Sequence, residues 1–320
     1  MTEHPTSTIA ADAVERDVME YDVVTVGAGP AGLAFAIRLK QLDPDISVCV
    51  IEKASTVGAH ILSGAVFDPK ALDLLIPDWK EKGAPVRTEV HSDSFVVLGP
   101  AGSARIPNWP MPRLMSNHGN YTGSLGNLCR WLAGQAENLG VEIFPGFPAS
   151  EVLYNEDGSV KGVATQDMGV AKDGSHKGDY MPGMELHAKY TFFAEGARGH
   201  LGKQLIARFH LENSAQPQHY AIGFKEVWQV PAGQSHPGRV LHGSGWPLGE
   251  GKGNKSQGGF YLYHLAQDQV AVGLIVDLNY QNPWLSPFGE FQRLKHHPLI
   301  AATLQGGERI SYGARAITKG

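Results

Sequence analysis

Near its N-terminus the chain carries, in order, every part of a βαβ unit that binds a dinucleotide. A short β-branched strand leads into the pattern G-x-G-x-x-G, and a helix-compatible run, a second strand and an acidic residue follow. These parts are Tyr21–Val26, then Gly27, Ala28, Gly29, Pro30, Ala31 and Gly32, then Leu33–Leu42, Ser47–Ile51 and Glu52. A glycine pattern alone is weak evidence, but all five parts in register predict a Rossmann-like nucleotide-binding fold.

Each glycine of the pattern has a distinct physical function. Gly27 permits the tight turn, Gly29 lets a pyrophosphate approach the backbone, and Gly32 lets the helix pack closely on the strand. The phosphates are expected on the unpaired N–H groups at the helix N-terminus. Glu52 stands 20 residues after Gly32, where a carboxylate accepts hydrogen bonds from ribose hydroxyls. Because a carboxylate there repels a 2′-phosphate, the sequence disfavours NADP at this site.

The composition is that of a soluble, ordered protein with two domains. The chain has 320 residues, of which 42% are hydrophobic and 18% are charged, and this length can bury a sizeable core. A net charge of −5 provides no basic field for nucleic acid, so no nucleic-acid partner is predicted. The sequence has no run of about 18 apolar residues that would span a bilayer.

The N-terminal residues and the two cysteines bear on the cellular compartment. The first 19 residues are polar and acidic, so we predict neither a transit peptide nor a secretory signal, but a loosely ordered cytoplasmic extension. Cys49 falls in a predicted strand and Cys129 in a predicted helix. Both are therefore predicted to be buried thiols of a reducing compartment.

After the βαβ unit, the secondary-structure signals continue in the same style and then change. Asp68 as N-cap and Pro69 predict the start of a helix that runs to Leu75. The further predicted elements are a helix over Leu125–Leu139, a strand over Val141–Phe144, a hairpin over Glu151–Thr165 and a polar loop over Met168–Met184. From about Ala221 the strands become longer, which predicts a second, mainly antiparallel sheet. The predicted fold class is therefore α/β with an added α+β domain.

Several short motifs, in one order along the chain, carry a family resemblance. They are Gly58–Gly64, Asn117–Asn120, Glu185–Lys189, Phe193–Gly196, Gly245–Pro247, Tyr280–Pro283, Phe291–Pro298 and Tyr312–Arg315. With these motifs the chain resembles electron-transfer-flavoprotein:ubiquinone oxidoreductase from about Tyr21 onwards. So many distinct segments are far more specific than the glycine pattern alone.

The resemblance implies a flavoenzyme bound peripherally to one membrane face. Such an enzyme holds FAD and one [4Fe–4S] cluster, accepts electrons from electron transfer flavoprotein and reduces ubiquinone. For this chain, we expect the cytoplasmic face of a bacterial inner membrane. The implied FAD-binding domain covers residues 20–88 and 118–206, the quinone-binding domain covers 89–117 and 207–310, and residues 311–320 begin a return to the FAD domain.

The resemblance also implies site residues, which are taken position by position from the matching motifs. The cofactor-binding residues are Gly27, Ala28, Gly29, Pro30, Ala31, Gly32, Glu52, Lys53, Gly58, Ser63, Gly64, Glu195 and Gly196, and the quinone-binding residues are Gly258 and Gly259. Neither a catalytic side chain nor a metal ligand is predicted. The flavin performs the chemistry, while the protein sets its geometry and potential.

One departure from the family concerns the iron–sulfur cluster. A cluster needs four thiolates, and the chain has two cysteines. The chain therefore resembles the N-terminal portion of a longer enzyme, and the cluster is expected only in that full-length parent. The pair His296-His297 before Pro298 has no second pair of ligands nearby, and we predict that it ends a helix rather than binds a metal.

Three alternatives stay open from the sequence. The proline-rich stretch Ile106–Met115 is either a surface that dips into lipid headgroups or a connection packed on the sheet. The turn at Glu195-Gly196 either contacts the flavin or only joins a strand to a helix. The function is either quinone reduction or that of the related prenyl reductases, unless the chain only binds FAD and catalyses nothing.

Overall fold

The computed structural model describes residues 16–61, 64–249 and 256–319. The strands among these residues are β1 Val18–Val26, β2 Val48–Glu52, β3 Ala65–Phe67, β4 Thr88–Glu89, β5 Ser92–Leu98, β6 Ser103–Ile106, β7 Tyr121–Gly123, β8 Glu142–Pro145, β9 Ala149–Tyr154, β10 Val160–Thr165, β11 Met168–Val170, β12 His176–Met181, β13 Glu185–Phe193, β14 His219–Gln229, β15 Arg239–Gly245, β16 Gly258–His264, β17 Gln269–Asp277 and β18 Glu308–Lys319. The α-helices are α1 Pro30–Leu42, α2 Lys70–Leu75, α3 Leu125–Asn138, α4 His200–Phe209, α5 Pro287–Lys295 and α6 Pro298–Leu304.

The first sheet confirms the βαβ unit and the Rossmann-like fold. Its six strands run in the order β8-β2-β1-β13-β10-β9, and β8, β2, β1 and β13 are parallel. Alternate residues of β1 enter opposite layers: Val23 packs with α1 and α3 on one face, and Val24 packs with α4 on the other. The predicted hairpin forms the antiparallel edge β9–β10.

The second sheet has seven strands in the order β18-β14-β17-β16-β15-β5-β6. Every neighbouring pair is antiparallel except β15 and β5, which confirms the prediction of a mainly antiparallel sheet. Helices α5 and α6 cover one face through Phe291, Leu294 and Ile300. The opposite face, which carries Tyr261 and Tyr263, is directed toward the first domain.

Two contacts fix the second sheet against the first domain. Gly64 lies against Ala271 of β17, because a Cβ on Gly64 would come within 2.5 Å of the Ala271 Cβ. The ammonium of Lys225, on β14, donates a hydrogen bond to the carbonyl oxygen of Gly64. Gly64 is thus held on the face of the second sheet that carries Tyr261 and Tyr263.

The structure corrects several sequence-based boundaries. The predicted polar loop Met168–Met184 contains the hairpin β11–β12. Residues 311–319 do not leave the second sheet but continue β18, which pairs with β14 along its length. The N-terminal extension ends before Val18, because Val18 pairs with Glu185 and prolongs the parallel ladder. Each correction has the same physical cause, because the backbone N–H and C=O groups of an extended segment form hydrogen bonds with a neighbouring strand.

Two helix boundaries also differ from the sequence prediction. Helix α2 begins at Lys70 with Pro69 at the N-cap, and the Asp68 carboxylate accepts a hydrogen bond from the Lys70 N–H at 3.1 Å. The predicted end of a helix at Pro298 is also a beginning, because α6 starts there. His297 is the N-cap of α6, and its Nδ1 accepts a hydrogen bond from the Leu299 N–H at 3.2 Å.

Candidate functional site

The three glycines of the loop between β1 and α1 have different steric environments. Gly27 has a φ of +107°, and a Cβ there would lie 2.6 Å from the Ala194 carbonyl oxygen. A Cβ on Gly32 would lie 2.0 Å from the Gly27 carbonyl oxygen. A Cβ on Gly29 would meet no atom within 4 Å. Gly27 and Gly32 therefore serve the fold, while Gly29 borders open space.

That open space lies at the N-terminus of α1 and fits a pyrophosphate. Pro30 occupies the first turn, and the N–H groups of Ala31 and Gly32 precede the first helical hydrogen bond, from the Leu33 N–H to the Gly29 carbonyl. Ala28 is buried beneath the loop. An anion is stabilised there by free N–H donors and by the helix dipole.

Glu52 holds its carboxylate beside the same loop. Its Oε2 accepts a hydrogen bond from the Ala28 N–H at 3.0 Å, and its Oε1 accepts one from the Ala54 N–H at 2.8 Å. The acid at the end of β2 is thus oriented toward the glycine loop by two backbone donors, which is the position required for a ribose contact. The next residue, Lys53, is exposed.

The structure describes Gly58 and Gly64 of the three cofactor-binding residues predicted in the segment 58–64, of which Ser63 and Gly64 were expected near the flavin. Gly58 has a φ of +83° and lies against α3, where a Cβ would come within 2.5 Å of the Gly126 carbonyl oxygen. Gly64 lies at the junction with the second sheet. Burial lowers the pKa of the neighbouring Lys225 to about 8. Ser63 lies outside the described residues.

The sequence left open whether the turn after β13 contacts the flavin or only joins a strand to a helix. In the structure this turn has a structural function. The Glu195 carboxylate accepts hydrogen bonds from the Leu201 and Gly202 N–H groups at 3.3 and 2.8 Å, so it caps the N-terminus of α4. The backbone of Glu195 approaches the glycine loop, because its nitrogen would lie 3.6 Å from a Cβ on Gly27. Gly196 has a φ of +80° and borders open space.

A cavity of about 610 Å³ lies between β15, β16 and the proline-rich stretch. Its lining residues are Asp93, Phe95, Asn108, Trp109, Met111, Pro112, Arg113, Met115, Ser116, Asn117, His242, Gly243, Gly259, Phe260, Tyr261, Tyr263 and Ile275. Gly259 lines it, but Gly258 does not. A Cβ on Gly258 would lie 2.1 Å from the Ile275 carbonyl oxygen, so that glycine serves strand packing. The structure therefore separates the predicted quinone pair.

The cavity brings together polar groups that sequence reasoning missed. The Tyr263 hydroxyl lies 2.7 Å from His242 Nε2, and Oδ2 of Asp93 accepts a hydrogen bond from the Asn117 N–H at 2.9 Å. Burial raises the pKa of the Tyr263 phenol, and burial lowers the pKa of His242 against an opposing effect of Asp93. No local motif links Asp93, His242 and Tyr263, because they come from three separate strands. Asn117 belongs to the motif Asn117–Asn120, to which the sequence assigned no role in a site.

The proline-rich stretch forms the outer wall of this cavity. Trp109 is 87% exposed and Met115 is 43% exposed, although both contribute to the lining. Arg113 lies in a 3₁₀ turn between them. Asn108 of the same stretch donates a hydrogen bond to the Asp93 carbonyl oxygen of β5 at 3.1 Å, so the stretch is attached to the sheet and presents an exposed apolar rim. Within the described part of the chain, no helix is long and apolar enough to cross a bilayer.

A second cavity, of about 830 Å³, lies where β14, β17 and β18 end. Arg198 contributes to it and stacks over the Tyr220 ring at 4.9 Å. It contains none of the predicted site residues.

The cysteines are unsuited to bind a metal. Cys49 and Cys129 are buried, and burial raises the pKa of each thiol to about 12. Among the residues that the structure describes, no group of three or more His, Cys, Asp or Glu side chains could hold a metal ion.

These features together define a class of protein. A glycine loop at a helix N-terminus, a carboxylate bonded to that loop and a second sheet that borders a cavity are typical of the FAD-dependent oxidoreductases with a Rossmann-like domain. A family model described as an NAD(P)-binding Rossmann-like domain matches residues 25–76. Another, described as the ubiquinone-binding domain of ETF-QO, matches residues 220–317.

Similar sequences confirm the resemblance to one family of this class. The chain is 58% identical over 313 residues to the electron transfer flavoprotein-ubiquinone oxidoreductase of Pseudomonas aeruginosa, and the match covers 96% of the chain and 56% of that protein. It is 54% identical over 314 residues to the human mitochondrial protein of that name, with 96% and 50% covered. The chain is a relative of these oxidoreductases and spans about half of their length.

Solved structures share the fold at low sequence identity. A geranylgeranyl bacteriochlorophyll reductase-like protein from Thermoplasma acidophilum matches with a TM-score of 0.65 at 16% identity, and the match covers 94% of this chain and 67% of that one. A myxobacterial FAD-dependent chondrochloren halogenase matches with a TM-score of 0.59 at 16% identity, with 94% and 64% covered. These similarities show the fold alone, and they do not favour the prenyl reductase alternative.

Proposed function

We propose that this chain supplies the FAD-binding and quinone-binding parts of an oxidoreductase that accepts electrons from electron transfer flavoprotein and reduces ubiquinone. The observation that carries the proposal is the position of the Gly259 cavity, which lies beside the predicted flavin-contacting Gly64. Lys225 connects the two. Its ammonium bonds to the Gly64 carbonyl and lies 5.6 Å from the centre of the Tyr261 ring, which lines the cavity.

The glycine loop and Glu52 would hold the FAD. The N–H groups at the start of α1 would bind the pyrophosphate, and the Glu52 carboxylate would accept hydrogen bonds from the adenosine ribose. Bound FAD supplies reversible two-electron storage between the protein donor and the quinone. A [4Fe–4S] cluster of the complete protein would be held by thiolates outside these 320 residues, since Cys49 and Cys129 are buried.

The cavity suits a quinone head group in shape and polarity. Phe95, Phe260 and Tyr261 offer flat apolar walls, and Gly259 brings a backbone segment close to the lumen. A flat ring with two carbonyl oxygens needs both, because most of its surface is apolar and its oxygens need hydrogen-bond donors. Quinone reduction is therefore the chemistry that this cavity supports best.

The replacement of Gly259 by leucine tests this assignment in the complete protein. A Cβ on Gly259 would lie 3.0 Å from the Gly243 carbonyl oxygen, with no closer atom. The larger side chain would enter the cavity rather than the sheet. We expect ubiquinone reduction to slow at least about tenfold, with normal FAD content and normal flavin reduction by electron transfer flavoprotein. Val272→Ala, in the neighbouring strand, is a control for weakened sheet packing, because Val272 packs on the opposite face with α5 and α6.

Three outcomes would contradict the proposal. Unchanged quinone kinetics in Gly259→Leu would remove the cavity assignment. An equal loss of FAD and quinone activity would show that Gly259 serves folding only. Reduction of a geranylgeranyl chain by the wild-type protein, without quinone reduction, would establish the prenyl reductase function instead.

We also propose that the apolar rim around Trp109 contacts a membrane surface, which would place the cavity mouth at the source of a lipid-soluble quinone. The rim combines exposed Trp109 and Met115 with the cation Arg113, and this composition suits the headgroup region. Trp109→Ser should weaken cosedimentation of the complete protein with anionic lipid vesicles by at least about threefold. Trp284→Ser is the matched control, because Trp284 is 92% exposed but lies near α5. Equal binding by both variants would contradict the proposal.

A further inference from the structure

The Gly259 cavity has a polar wall whose members interact. We use this name for Asp93, His242 and Tyr263, which all line the cavity. Tyr263 and His242 are joined by a contact of 2.7 Å between the phenol oxygen and Nε2, and their rings meet edge to face at 5.2 Å. Asp93 is buried, and its Oδ2 accepts two hydrogen bonds from Asn117, at 2.9 and 3.2 Å.

The polar wall holds protons at neutral pH. Burial raises the pKa of Tyr263, and the charge of Asp93 raises it further, so the phenol stays protonated. Burial lowers the pKa of His242 although Asp93 opposes the shift, so the imidazole stays neutral. The other titratable groups that line the cavity are Arg113 and Tyr261. A phenol in contact with a neutral imidazole is a donor that can be refilled through the ring, which gives a proton at one nitrogen and takes one at the other.

Reduction of a quinone to a quinol consumes two electrons and two protons. A quinone carbonyl oxygen gains basicity as electrons arrive, and it needs a positioned donor. We propose that Tyr263 donates a proton to one quinone carbonyl oxygen and that His242 returns a proton to Tyr263. This assignment rests on the proposed function, because the reductant is the reduced flavin of the complete protein.

The reduced flavin of the complete protein would supply two electrons to the quinone ring and release two protons to solvent. The O–H bond of Tyr263 breaks as an O–H bond forms on the nearer carbonyl oxygen. The phenolate takes the Nε2 proton of His242 while Nδ1 takes a proton from solvent, so the ring stays neutral. A second solvent proton reaches the other carbonyl oxygen, which completes the quinol and balances the two protons that the flavin releases. Exchange with solvent then returns His242 to the tautomer that is protonated at Nε2.

Two electron acceptors separate proton delivery from electron supply. Ubiquinone takes two electrons and two protons, whereas the ferricenium ion takes one electron and no proton. In the complete protein, Tyr263→Phe should lower kcat for ubiquinone on the order of 100-fold, as expected for loss of a general acid, while the ferricenium rate and FAD content stay near the wild-type values. His242→Gln should reproduce the selective loss. Tyr154→Phe is the control, because Tyr154 lies in the first sheet.

The outcomes distinguish this inference from the proposed function. If the wild-type protein reduces ferricenium but not ubiquinone, the proposed function fails. If it reduces ubiquinone and Tyr263→Phe keeps the wild-type rate and solvent deuterium isotope effect, the proton donor is not Tyr263. Equal losses with both acceptors would also overturn the assignment, since they indicate a structural effect. If Tyr263→Phe loses FAD, His242→Gln decides by the same ratio of rates.

Discussion

The replacement of Gly29 by alanine separates cofactor binding from folding in the glycine loop. A Cβ on Gly29 meets no atom within 4 Å, and its φ of −80° is accessible to any L-residue. The free energy of unfolding of the cofactor-free protein should therefore change by less than about 1 kcal/mol. Gly32→Ala should lower it by about 1–3 kcal/mol or more, because its Cβ would lie 2.0 Å from the Gly27 carbonyl oxygen.

The expected loss of FAD affinity follows from the same open space. The added methyl group of Gly29→Ala occupies the approach of the pyrophosphate to the backbone N–H groups of α1. A hydrogen bond to a charged group contributes about 1.5–3 kcal/mol. If two are lost, binding weakens by about 3–6 kcal/mol, which is about a 100- to 20,000-fold increase in Kd.

The assay compares three forms of the complete protein after removal of FAD. Wild type, Gly29→Ala and the control Gly134→Ala are each unfolded with urea and titrated with FAD by flavin fluorescence. Gly134 is a suitable control because its Cβ also meets no atom within 4 Å, but it lies in α3. An FAD Kd within about threefold of wild type for a folded Gly29→Ala protein would refute the assignment of the pyrophosphate site. An unfolded Gly29→Ala protein would refute the steric argument.

Two further predictions concern buried groups. Glu226 is 2% exposed and bonds to the ammonium of Lys295 at 2.9 Å, so Glu226→Gln should lower the free energy of unfolding by about 3–5 kcal/mol. The control Glu290→Gln breaks a more exposed pair and should cost at most about 1 kcal/mol; equal urea midpoints would contradict this. Burial raises the pKa of Cys49 and Cys129 to about 12, so neither thiol should react with a disulfide reagent at pH 8 before the chain unfolds. For the same reason neither should bind a metal as a thiolate, and analysis of this chain should find neither iron nor sulfide. Fast labelling of the folded chain, or near four iron atoms per chain, would disprove it.

Local sequence signals determined the nucleotide-binding unit. Gly32 is required by its contact with the Gly27 carbonyl oxygen inside the βαβ unit, and alternation along β1 places Val23 and Val24 in opposite layers. Such features depend on residues within a few turns or one strand, so a pattern of residue types is sufficient to predict them. The same reason explains why the hairpin β9–β10 was predicted correctly.

Only the tertiary structure decided which chemical groups meet at the second site. Asp93 lies on β5, far in sequence from the strands β15 and β16 that carry His242 and Tyr263, and strand order and register bring the three residues to one cavity. The two glycines of the predicted quinone pair look alike in sequence, yet Gly258 packs against Ile275 and Gly259 lines the cavity. Successive residues of a strand point to opposite faces, so which of the two faces the lumen depends on the position of the neighbouring strands, which no local pattern records.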